Sequence, residues 1–145
     1  MERIRIPLRY CKSRVPLVVF RALDGKPRVG IVDTGSEITM IDHSLIGNGM
    51  ETVEGGGSTS FVGVNGEGDA NTVSRVAGSI NVKSVDGDIY DIPMGGVEYD
   101  CSGLSRVFSN RMDREIEVSA IIGSDFLKER NSKIDYKNKT LTIDF

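Results

Sequence analysis

The chain is poor in the residues on which several large enzyme classes depend. It has one histidine, His43, among 145 residues, so a Ser-His-Asp or Cys-His mechanism would have to run through that single side chain. Its two cysteines, Cys11 and Cys101, stand far apart and form neither a disulfide framework nor a metal cluster. A zinc site would have to be assembled from carboxylates and two distant thiols, a poor donor set. No charge of one sign dominates. The 18 Lys and Arg against 21 Asp and Glu leave −3, which offers nucleic acid or a membrane surface no electrostatic hold. No apolar run approaches the roughly 20 residues that span a bilayer. The opening Met1-Glu2-Arg3-Ile4-Arg5-Ile6-Pro7 lacks the apolar h-region of a signal peptide. Internal repeats, heptad arrays and low-complexity tracts are missing too. These absences predict a cytoplasmic protein with reduced thiols, without nucleic-acid or membrane partners, whose acid–base chemistry falls to carboxylates.

What is present reads as one mostly β domain over 1–145, with 39% apolar and 27% charged residues. Seventeen glycines punctuate short apolar runs at hairpin spacing. Segments 15–22 (VPLVVFRA) and 28–32 (RVGIV) flank an Asp24-Gly25 turn. Segment 38–41 (ITMI) is short and apolar. After the Gly55-Gly56-Gly57 break, 58–64 and 67–76 flank Asn65-Gly66, and 79–85 and 88–94 flank Asp86-Gly87, two further hairpin signals. Segment 99–115 has weak periodicity and is expected to be a long loop. Segment 118–122 (VSAII) is a buried strand, 124–130 (SDFLKER) a short helix with Ser124 as N-cap, and 133–136 with 140–145 a final hairpin.

The segment that carries chemistry is 28–42, RVGIVDTGSEITMID. A buried strand delivers the carboxylate of Asp33 into a tight turn, Thr34-Gly35-Ser36, and a second apolar run leaves at once. A carboxylate there is costly unless paired or hydrogen-bonded. Asp, Gly and Ser also make ordinary polar turns, so the tetrapeptide alone leaves that alternative open. A phosphatase-type Asp nucleophile fits worse: it wants a second Asp two residues on, where Gly35 stands, and a parallel α/β fold.

Asp33-Thr34-Gly35-Ser36 after an apolar strand resembles the active-site motif of aspartic proteases. Ala120-Ile121-Ile122-Gly123-Ser124-Asp125-Phe126-Leu127 resembles the Ile-Leu-Gly-x-Asp-Phe-Leu segment of their retropepsin-like members, and 133–143 resembles the terminal hairpin of the bacterial and cellular branch. The 90 residues from Asp33 to Gly123 exceed the spacing of the viral enzymes and suit that branch. The likeness covers 15–145. It implies a single-lobe acid-protease closed barrel with a flap hairpin and one short helix near the C-terminus. It implies no metal or organic cofactor and a polypeptide substrate bound as an added strand.

The family's flap would be Gly63, Val64, Asn65, Gly66 and Glu67, placed by order, distance and glycine content. Ile122, Gly123 and Asp125 would support the active-site loop, Ser36 would orient the outer carboxylate oxygen, and Thr34 would lock two loops together across a dimer. One Asp-Thr-Gly per chain is half of a two-carboxyl catalyst, so the expectation is a C₂ homodimer with two Asp33 side chains on the axis. The terminal segments 1–6 and 140–145 are candidates for its interface. Asp42 and His43 are expected in a solvated turn, Glu51 and Glu54 at the surface, 111–117 in a solvated excursion, and Tyr90, Tyr99 and Tyr136 in ordinary sheet positions. Two alternatives stay open: a non-catalytic dimerisation or peptide-binding module on the same fold, and a lobe of a larger protease.

Overall fold

The computed structural model describes residues 2–10, 15–53, 62–63, 66–67 and 74–145. Five strands lead to and past the Asp33 turn: β1 (Arg3–Pro7), β2 (Arg9–Tyr10), β3 (Pro16–Arg21), β4 (Pro27–Val32) and β5 (Met40–Asp42). A 3₁₀ turn (His43–Leu45) and β6 (Met50–Thr52) follow, then the short β7 (Val62–Gly63) and β8 (Gly66–Glu67). The long pair β9 (Arg75–Lys83) and β10 (Ile89–Tyr99) precedes α1 (Ser102–Met112). The chain finishes with β11 (Val118–Ile122), α2 (Ser124–Glu129), β12 (Lys133–Asp135) and β13 (Thr140–Asp144).

Six strands pair in the ring β3-β4-β11-β5-β10-β9, and the Arg21–Asn81 pairing of β3 with β9 closes it. The molecule is therefore mostly β with a closed barrel, as expected. β1, β13 and β12 form a separate antiparallel sheet. The barrel also contains a parallel pairing, β4 beside β11, between segments far apart in sequence. No helix among the described residues is long and apolar enough to cross a membrane.

β4 is an interior strand, and its pattern shows why RVGIV has no polar alternation. Val32 packs with Val18, Phe20, Ile41 and Ile122 in the larger core, while Val29 and Ile31 join Leu17, Phe108, Ile116 and Val118 in a second cluster beneath α1. Both faces are covered, so every residue from Arg28 to Val32 is buried. Each fully buried aliphatic side chain of this kind stabilises the fold by about 1.5–3 kcal/mol.

Three expectations need correction. Segment 99–115 is not a long loop: β10 runs to Tyr99, and Ser102–Met112 is an 11-residue helix, so the short C-terminal helix is one of two α-helices among the described residues. Gly123, not Ser124, is the N-cap of α2; Ser124 begins the helix. Gly66 is not a turn residue of its hairpin but a strand residue paired with Gly63, as Glu67 is with Val62; Asn65 lies outside the described residues. The Asp-Gly turns do fall where expected, with Gly25 and Gly87 at φ 75° and 90°.

Candidate active site

Asp33 leaves β4 with its backbone N–H donated to the Ile122 carbonyl at 2.9 Å, continuing the parallel β4–β11 register by one residue. Its carboxylate Oδ1 accepts the Gly35 N–H at 3.0 Å, and its carbonyl accepts the Ser36 N–H at 3.2 Å. The turn is therefore folded around its own first residue. Asp33 is half-buried, while Thr34 and Gly35 are exposed, so the carboxylate sits at the molecular surface beside an open turn.

The far side of the turn is fastened to the start of α2. The Ser124 N–H donates to the Ser36 carbonyl at 2.7 Å. Gly123 lies so close beneath that a Cβ there would come within 2.8 Å of the Ile38 carbonyl group and the Ser36 oxygen. Only glycine permits this approach. Thr39, wholly buried, is the hub. Its Oγ1 donates to Asp125 Oδ1 at 2.7 Å and accepts the Gly123 N–H at 3.0 Å; its N–H donates to Asp125 Oδ2 at 3.1 Å; its carbonyl accepts the Val97 N–H at 3.0 Å. Asp125 Oδ1 also accepts the Phe126 N–H at 2.8 Å, so the carboxylate is fully engaged in holding two segments together.

The structure thus brings Asp33, Gly35 and Ser36 together with Ile122, Gly123 and Asp125. The Ser36 hydroxyl does not reach the Asp33 carboxylate; it donates to the Ile38 carbonyl at 2.8 Å, and the Gly35 N–H makes the carboxylate contact instead. Among the flap residues, Gly63, Gly66 and Glu67 lie in the β7–β8 pair, and Val64 and Asn65 fall outside the described residues. Sequence reasoning missed Thr39. Its signal was a hydroxyl between Ile38 and Met40 in an apolar run, since a buried hydroxyl needs partners.

His43 is exposed in its turn as expected, but Asp42 differs from expectation. Asp42 is buried, its Oδ1 accepting the Cys101 N–H at 2.8 Å and its Oδ2 the Ser44 N–H at 3.1 Å. With His43 and Asp100 it brings three potential ligand atoms within 4.8 Å of one another. Asp100, however, also serves the backbone, accepting the Ser102 N–H at 3.0 Å, which holds its carboxyl below the usual aspartate range. Both carboxylates read as caps of the chain reversals beside them. Burial, with Asp42 and Asp100 nearby, pushes the Cys101 thiol up to about 12, so it stays protonated and unreactive. Cys11 lies outside the described residues.

No family model matches the chain, and no curated protein matches it either.

Proposed function

We propose that the protein is an aspartic endopeptidase of the retropepsin-like kind, built as a C₂ homodimer around two Asp33 side chains. The observation that carries this reading is the loop itself. An Asp-Thr-Gly turn at the end of a buried strand keeps its carboxylate at the surface, while four hydrogen bonds linking Ser36 and Thr39 to Gly123, Ser124 and Asp125 fasten the far side of the turn. The closed barrel and the short helix after β11 agree with the acid-protease fold.

In such a dimer the two carboxyls lie too close to ionise together and share one proton. The ionised Asp33 takes a proton from the attacking water, and the protonated partner polarises the scissile carbonyl. The Gly35 N–H, already on Oδ1, orients the carboxylate. Thr34, exposed on the turn, takes the role of locking the two loops together across the axis. An extended polypeptide lies over the dyad, and the β7–β8 hairpin is assigned as the flap.

The test is digestion of a random peptide library at acidic to neutral pH by wild type and Asp33→Asn. Cleavage by wild type only, with both proteins folded, supports the assignment. Equal digestion by the two sinks it, and no digestion by either leaves the protein as a non-catalytic dimerisation or peptide-binding module.

A further inference from the structure

Next to the candidate catalytic loop lies a groove of about 590 Å³ between β9, β10 and α2. Ile38, five residues beyond Asp33, forms one wall, and Val76, Met94 and Phe126 supply an apolar floor. The groove exists because β5 is short. It pairs with β10 only from Val97 to Tyr99, and the earlier part of β10 has no strand on that side among the described residues.

The register shows which backbone groups face the gap. The Val97 N–H points away from β9, to Thr39, and the Pro93 carbonyl points the same way, accepting from Arg130 at 3.1 Å. By the two-residue alternation of a strand, Gly95 between them directs its N–H and C=O into the groove. Gly95 is exposed and has no hydrogen bond on that side among the described residues. It is a short open sheet edge without a side chain to obstruct it.

Charge adds a second feature. Arg130 is held by two neutral carbonyls, those of Pro93 and Asp144, and lies over the Phe126 ring. Arg75 is exposed on the opposite rim. Neither has a carboxylate within ion-pair distance among the described residues. Of the two acids lining the groove, Asp125 is committed to Thr39 and Phe126, which leaves Glu129 against two cations.

We propose that this groove docks an extended acidic segment of a polypeptide, which adds as a strand to Gly95 and places a carboxylate against Arg75. Main-chain pairing gives such a site its affinity, and the charged rim gives it selectivity. The proposal rests on the protease reading only in taking the docked segment to be part of a substrate. The groove would then select substrates by acidic residues away from the scissile bond, on both sides of it in a symmetric dimer.

The experiment uses the Asp33→Asn protein, so that binding is read without cleavage and independently of whether wild type digests anything. The probe is a fluorescently labelled peptide of alternating Glu and Thr, with the Gln-Thr peptide as its neutral control. The Glu peptide is expected to bind about fivefold or more tightly than the control at low salt. In ¹⁵N-labelled protein it should shift the Gly95 amide resonance. Adding Arg75→Glu should erase the preference while leaving the fold intact, since that side chain is exposed. Gly95→Pro, which removes the free N–H without touching a ladder bond, should weaken both peptides. Equal binding of the two peptides, an unmoved Gly95 resonance, or a preference that survives Arg75→Glu overturns the proposal.

Discussion

Thr39 and Gly123 show how much the candidate site depends on residues that do no chemistry. Thr39→Val keeps the shape of the residue but leaves the buried Gly123 N–H without an acceptor and strips Asp125 of its hydroxyl donor. A loss of about 1–3 kcal/mol is expected, with Thr39→Ser much closer to wild type, as read by urea midpoints. Gly123→Ala forces a methyl against the Ile38 and Ser36 backbone, and about 1–3 kcal/mol should follow from that overpacking. A different kind of residue governs acid tolerance. Arg28, almost wholly buried at the start of β4, is held by Asp24, Glu117, Ser44 and Ser119. The Asp24 carboxyl is held at about 2, first by the Lys26 N–H and then by Arg28 and Asn48, against the opposing effect of burial. A folded value below the ordinary 3.8 means that its stabilisation is whole above that range and is lost as pH falls toward 2. Asp24→Asn should therefore lower the urea midpoint at pH 7, and the gap to wild type should close near pH 2.

At the scale of elements, α1 is the feature the sequence hid. Its apolar stripe is thin: Leu104, Phe108 and Met112 recur at four-residue spacing and pack in the second cluster, but only Phe108 is fully buried among many polar residues. Serines stand beside it. Ser105 Oγ accepts the Val118 N–H and donates to its carbonyl, and Ser109 Oγ does the same for Ile116. One helix turn apart, the two hydroxyls act as a substitute strand neighbour for the approach to β11. Replacing both by Ala should cost about 1–3 kcal/mol for each backbone pair left unpartnered and loosen α1, seen as faster amide exchange at Val118 and Ile116. The hairpins around Asp24-Gly25 and Asp86-Gly87 were legible because positive φ restricts those turns to very few residues, and Gly25 and Gly87 supply it. The extent of β9 and β10 was not legible, since their length is set by partners on either side rather than by their own pattern. Within the site, the Asp33 turn and Gly123 could be read from spelling and order. The bond from the Ser36 hydroxyl to the Ile38 carbonyl could not, because a hydroxyl offers its one proton to whichever acceptor the backbone brings nearest.

For the whole molecule, the dimer is the claim with the sharpest test. If each active site takes one Asp33 from each chain, mixing equal amounts of wild type and Asp33→Asn and allowing exchange should leave about a quarter of the activity of the same total amount of wild type. A monomeric enzyme would keep half. The pairing of β1, β12 and β13 would constrain how two copies meet. β13 is paired on both edges within its own chain, by β1 and β12, and the Phe145 N–H donates to the Glu2 carbonyl. A contact through the ends would have to use the outer edges of β1 or β12. The parallel pairing of β4 with β11 has one more consequence, which concerns the order of synthesis. The ribosome delivers Asp33 early, but the groups that shape its turn belong to Ile122, Gly123, Ser124 and Asp125. A nascent chain therefore carries the carboxylate long before it carries the loop. Its cutting edge, by this assignment, is assembled only once residues 122–125 have followed it out of the ribosome.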